Sequence, residues 1–258
     1  MLNKIHNVSY EILLPQIADL SVAVVITDPP YGINYQNSYT KSKKYAVLTG
    51  DECPFSYKPM GDQSFRILKN DSAIFCFTGW GTYPKHFMEL EACGFAMKEP
   101  IIGQKKASGQ ADLYGTFQTN SDWCMFGHKG KFAFQPTRLL RNSRAGVRPS
   151  ANRNPVSEYK TRFPSCWFGA EFPVSSENSS SKIKYDLDHP TVKGLEFIKW
   201  LIMLTTKEGD TVIDPFMGSG TTAVAAKLLN RNFIGCEINP AFCELAERRL
   251  LEVDSILD

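Results

Sequence analysis

The sequence predicts an α/β fold, built on a mostly parallel twisted sheet with helices on both faces. Three observations predict it. Short apolar runs recur at Val22–Ile26, Ser72–Thr78, Thr211–Ile213 and Asn232–Cys236, and strands without polar alternation belong to sheets covered on both sides. Between them stand helical patterns such as Leu195, Ile198, Leu201 and Ile202, spaced to form one core-facing stripe. Acidic residues follow three of the runs, as Asp28, Asp214 and Glu237. That is the carboxyl edge, where open α/β sheets bind ligands.

With 258 residues and 43 % hydrophobic content, the chain can bury the core of one large α/β domain with an insertion, or of two small domains. No apolar run approaches the roughly 20 residues of a membrane span, and Met1–Asn7 has no signal-peptide character. The seven cysteines are odd in number and scattered, with no C-x-x-C pair. Neither a disulfide framework nor a metal site is expected, and a reducing cytoplasm is. The net charge of +2 is uneven: Lys98–Ser165 holds twelve Lys and Arg against four Asp and Glu. That segment therefore carries +8 and the remainder −6. A basic middle suggests an anionic partner; a solvated face is the plainer alternative.

Taken in order, Tyr10–Leu14 predicts a short helix limited by Pro15, and the strand at 22–27 ends in Asp28-Pro29-Pro30-Tyr31. The two prolines fix φ and donate no N–H, so the turn is stiff. The plainer reading is a strand-ending turn with a hydrogen-bonding Asp. Residues 32–60 read as a long loop, of the kind that often serves as a lid. A helix is expected within Tyr57–Lys69, and another over Tyr83–Ala92 ending at Gly94. Phe95–Ile102, Asp122–Phe126 and Lys131–Phe134 read as strands, the last two as a hairpin around His128–Gly130. Residues 135–188 form a distinct insertion, with Arg138, Arg141, Arg144 and Arg148 among polar residues and aromatics beyond. Arginines supply phosphate and base-edge contacts; a flexible basic loop without a ligand is the alternative.

The C-terminal part reads strand, Gly-rich turn, helix, strand, acidic residue, the layout that holds an adenosine-containing ligand. Asp214-Pro215-Phe216-Met217-Gly218-Ser219-Gly220-Thr221-Thr222 supplies the turn, and Glu237 lies 17 residues past Gly220, suited to two ribose hydroxyls. The turn has neither the third glycine of G-x-G-x-x-G nor the Gly-Lys-Ser/Thr of a nucleotide loop. Asp214 would repel a pyrophosphate and tolerate a cationic ligand. Asn239 and Pro240 open the last helix, Asn239 first of all as its cap.

Asp28–Tyr31 resembles the catalytic motif of the S-adenosylmethionine-dependent DNA amino-methyltransferases. Asp214–Thr222 resembles their cofactor motif and Phe233–Pro240 their ribose motif. His189-Pro190-Thr191-x-Lys193 is similar to the segment before their cofactor strand. The order, with the catalytic motif first, is that of the β group, a circular permutation. The resemblance implies a Rossmann-like methyltransferase fold. Its catalytic half would be residues 1–134 and its target-recognition insertion 135–188; 189–258 would bind S-adenosylmethionine in the same domain. It implies catalytic roles for Asp28, Pro29, Pro30 and Tyr31. It implies cofactor contacts from Asp214, Pro215, Phe216, Gly218, Ser219, Gly220, Thr221, Glu237, Asn239, His189, Thr191 and Lys193. DNA contacts fall to Arg138, Arg141, Arg144 and Arg148.

By this analogy Asp28 and the Pro29 carbonyl accept the hydrogens of a flipped base's amino group, and Tyr31 stacks on that base. Adenine-N6 is favoured because cytosine-N4 relatives more often carry Ser at the first position; RNA or protein methylation and a non-catalytic DNA-binding relic are the alternatives. Duplex DNA is the expected partner, with a cognate restriction endonuclease possible and the chain a monomer or homodimer. Two departures stand out. Gly194 replaces the usual proline, and His6-Asn7 stands where relatives often have Gly-Asp to hold the cofactor adenine.

Overall fold

In a computed structural model of the chain, the structure describes residues 1–31, 55–104, 121–134, 166–167 and 193–257. Most of the loop expected at 32–60, the four arginines of the insertion, His189 and Thr191 lie outside the described residues.

Among the described residues, nine strands form one sheet. They are β1 (Lys4–His6), β2 (Val22–Thr27), β3 (Leu68–Thr78), β4 (Ala96–Met97), β5 (Ile101–Gln104), β6 (Ser121–Lys129), β7 (Cys166–Trp167), β8 (Thr211–Asp214) and β9 (Asn232–Cys236). Their order is β1-β9-β8-β2-β3-β6-β5-β7, with β4 also on β6. From β1 to β3 all neighbours are parallel. β6 then runs antiparallel to β3, β4 and β5. The sheet is mostly parallel, as expected, with its antiparallel part gathered around β6.

Every residue of β2 is buried, and the strand serves both faces, with an irregularity in its pairing with β3 between Val22 and Val24. Val24 and Ile26 pack with Phe197, Ala223 and Ala246. These come from α4 (Leu195–Thr205), α5 (Thr221–Leu228) and α6 (Pro240–Leu257). Val22 and Val25 pack with Leu13, Met60 and Leu90, from α1 (Tyr10–Leu13), α2 (Lys58–Ile67) and α3 (Tyr83–Glu91). Burying each such side chain contributes about 1.5–3 kcal/mol, which is why this strand stands at the centre.

Residues 1–9 supply a further strand, β1, which pairs with β9 and so sets the N-terminus beside the last strand of the chain. Two expectations need correcting. Phe95–Ile102 is two strands, because the register on β6 shifts by one between Met97↔Gly127 and Ile101↔Cys124. The extra residue falls at Glu99-Pro100, where proline cannot join a ladder. The hairpin around His128–Gly130 does not form: Ser121–Lys129 is one strand. Gly130, at φ +72°, ends it, and the Asp71 carboxylate accepts the Lys131 N–H at 2.6 Å.

Candidate active site

The parallel strands β1, β9, β8, β2 and β3 end at one edge, and antiparallel β6 begins there. The residues beyond those ends form the site.

Asp28 follows β2 with part of its side chain exposed. Its Oδ1 accepts the Tyr31 hydroxyl at 2.7 Å, and its Oδ2 lies 2.7 Å from Lys193 Nζ. Pro29 is buried and Pro30 partly so, so the turn is anchored by the core. The Tyr31 ring lies against the end of β3: a Cβ on Gly79 would stand in van der Waals contact with it, 3.4 Å from Cδ2. Burial first, then the charge and hydrogen bond of Asp28, push the Tyr31 phenol well above its ordinary value. Tyr31 is thus tethered to Asp28 as well as set beside it.

Lys193, expected near the cofactor, reaches this turn. Besides Asp28 it meets Asp122 Oδ1 at 3.7 Å and the Tyr31 hydroxyl at 3.5 Å. It also stands 4.9 Å from the centre of the Phe77 ring. Burial acts to lower its pKa, but Asp28 and Asp122 outweigh it and hold the ammonium above the usual lysine range. Asp122 arrives because β6 is antiparallel: Thr78 pairs with Trp123, so the first residues of β6 lie at the last of β3.

The Gly-rich turn is built differently. Asp214 ends β8 buried; Oδ1 accepts the Phe216 N–H at 3.0 Å and Oδ2 the Thr222 hydroxyl at 2.7 Å. Burial pushes its carboxyl up to about 7, against the pull of those hydrogen bonds. It shapes the turn from within. Ser219 and Thr221 are also buried, and the Arg249 guanidinium donates to both hydroxyls at 3.1 Å and to the Ser219 carbonyl at 2.6 Å. Gly220 has φ +83°, and a Cβ on it would meet Ala246 Cβ at 2.6 Å and Cα at 3.0 Å. Its lack of a side chain lets α6 approach the turn. Pro215 is buried, its carbonyl accepting the Cys236 thiol at 3.1 Å. Phe216 is half-buried between Tyr10 and Phe55, at 5.1 and 5.6 Å between ring centres.

Glu237 follows β9. Its Oε2 accepts the Gly218 N–H at 2.9 Å and its Oε1 the Asn239 N–H at 2.8 Å; burial raises its carboxyl pKa. A carboxylate oxygen has a second acceptor direction, so both oxygens can still take a hydroxyl. Asn239 caps α6, its Oδ1 accepting the Ala241 N–H at 3.0 Å. Asn7, just past β1, donates its amide to the Glu237 and Ile238 carbonyls at 2.9 and 3.1 Å. The N-terminal departure thus braces the Glu237 turn. Sequence reasoning missed Asp122, Arg249 and this role of Asn7; an acidic residue at the start of a strand and an arginine among helix-surface residues carry no local signal.

Comparison with known proteins accords with this arrangement. A sequence model of the N6_N4_Mtase family, described as DNA methylase, matches residues 22–248. The chain is 45 % identical over 251 residues to the type II methyltransferase M2.MboI of Moraxella bovis, covering 93 % of this chain and 84 % of the relative. It is 27 % identical over 261 residues to the type II methyltransferase M1.MboII of the same organism, covering 95 % of each. Among solved structures, the M1.HpyAVI–SAM complex superposes with a TM-score of 0.62 at 21 % identity, over 95 % of this chain and 98 % of that one. The cytosine-N4-specific PvuII DNA methyltransferase gives 0.67 at 15 % identity, over 95 % and 87 %. These two likenesses concern the fold.

Proposed function

This chain belongs to the N6_N4_Mtase family of DNA methylases, and from that premise we propose that it methylates the N6 amino group of adenine in duplex DNA. The observation that carries the reading is Asp28, a carboxylate with each oxygen held by one donor at the sheet edge it shares with Glu237. A carboxylate so held keeps acceptor directions for an amino group. Drawing hydrogens from that nitrogen frees its lone pair, and positioning with electrostatics then suffices without a covalent intermediate. The Pro29 carbonyl is the second acceptor, and the Tyr31 ring the surface against which a flipped base lies.

The methyl donor is S-adenosylmethionine, which supplies a methyl group activated on a sulfonium. The donor set fits it: Glu237 offers two oriented oxygens to the ribose, and carboxylates at this edge suit a cationic ligand. Asp214, Pro215, Ser219, Gly220 and Thr221 frame that site, and Phe216, Gly218 and Asn239 line it. The motif order supports the permuted β group. Residues 1–134 and 189–258 are then two halves of one sheet, and 135–188 is the target-recognition insertion, whose Arg138, Arg141, Arg144 and Arg148 meet the phosphates.

The test is tritiated methyl transfer to unmethylated duplex DNA, followed by digestion to nucleosides. N6-methyladenine is the expected product. N4-methylcytosine would overturn the adenine assignment and keep the chemistry; no transfer to DNA would overturn the function.

A further inference from the structure

Lys193, which the resemblance assigns to the cofactor, stands against the Asp28 turn. Its side chain is 10 % exposed, and its nitrogen lies 2.7 Å from Asp28 and 3.7 Å from Asp122. The buried Phe77 ring lies under the ammonium, 4.9 Å from it. A buried ammonium needs a charged partner, and the two carboxylates supply it.

Asp28 touches Tyr31 of its own turn through one oxygen and Lys193 through the other. Among the described residues, the cation paired with Asp28 is Lys193.

Resting on the function proposed above, we propose that Lys193 and Asp122 form a positioning pair that holds the Asp28 carboxylate and aims it at the target amino group. Lys193 binds one oxygen and Tyr31 the other, which fixes the carboxylate plane. Asp122 also meets the ammonium, at 3.7 Å, so that the lysine is held by two carboxylates when a base enters. Lys193 is a positioning residue. It does not serve as a base, because both carboxylates keep its proton on.

The experiment uses the full chain with Lys193→Met and Lys193→Gln, two neutral side chains of which the second keeps polarity should the first fold poorly, each also combined with Asp28→Ala. Three readouts are taken: S-adenosylmethionine affinity by calorimetry, duplex DNA affinity, and single-turnover methyl transfer to duplex DNA. In the single variants both affinities should stay within about twofold, and transfer should fall about 10²-fold, as for loss of one preorganised contact. In the Asp28→Ala background the same change should cost little more, because Lys193 acts through Asp28. Lys193→Arg should restore most of the transfer. Losses that multiply in the double variant overturn the proposal. A tenfold weaker cofactor affinity overturns it too, and returns Lys193 to the cofactor. Should the wild type fail to methylate DNA, the proposed function falls, and a crystal structure of Lys193→Gln still decides the pair: an Asp28 carboxylate unmoved from its wild-type orientation overturns it.

Discussion

Two Asp-Pro turns stand on neighbouring strands of this sheet and do opposite work. Asp28-Pro29 follows β2 and Asp214-Pro215 ends β8, and the strands pair at Val24↔Val212 and Val25↔Ile213. Continued by one residue, that register sets Asp214 level with Ile26, two residues short of Asp28. Asp214 is therefore inside the fold, its oxygens spent on Phe216 and Thr222. Asp28 clears the sheet, and its oxygens meet a phenol and an ammonium at the rim. The same dipeptide builds a loop in one place and holds a carboxylate at the rim in the other; two residues of strand length separate the two positions.

The comparison breaks most sharply at Asp28. Asp28→Ala should leave folding and cofactor affinity near wild type and lower methyl transfer by about 10²–10³ or more, the cost of a preorganised electrostatic contact. A melting curve, calorimetry and single-turnover transfer measure the three quantities, and full transfer in the variant would end the proposed mechanism.

At the other turn, Gly220→Val should act through the fold. The added side chain meets the α6 backbone at Ala246, and φ +83° is strained for any residue with a Cβ. We expect a loss of several kcal/mol, in the range of overpacked and strained sites, visible as a large fall in melting temperature before any ligand is added. A well-folded variant that had merely lost cofactor binding would mean that the glycine serves the ligand and not the helix.

The third difference is in pH dependence. Asp214 holds its proton up to about 7, whereas an unfolded aspartate releases it near about 3.9. Between those values the folded state binds more protons, so stability is full at the acid end and declines as pH rises, by at most about 1.4 kcal/mol per unit. Asp214→Asn should flatten that decline in urea titrations from pH 4 to 7.

Tyr31→Phe gives a smaller effect. Treated only as a stacking ring, Tyr31 could lose its hydroxyl at little cost; the structure makes that hydroxyl a tether on Asp28. We expect transfer to fall about tenfold, the worth of one hydrogen bond to a charged group, with DNA affinity unchanged. Smallest is the response of the basic segment: each paired Arg→Ala change among Arg138, Arg141, Arg144 and Arg148 should lower the salt dependence of DNA binding by about 1 per lost phosphate contact. An unchanged slope would make that segment a solvated face.

Much of this molecule was legible in its sequence, because the relevant signals are local. A fully apolar strand, a proline that ends it, a carboxylate behind it and an Asn cap on a helix depend on a few consecutive residues. Asn232–Cys236 forms the strand expected of it, and Asn239 caps the helix behind it. What the tertiary structure alone decided are the contacts between distant segments. The antiparallel direction of β6 brings Asp122 to the site, and Lys193 turns to Asp28. Arg249 reaches under the Gly-rich turn, and Ala246 explains Gly220. Each depends on strand register, strand direction or helix approach, which the packing of the whole core settles and no short stretch of sequence encodes.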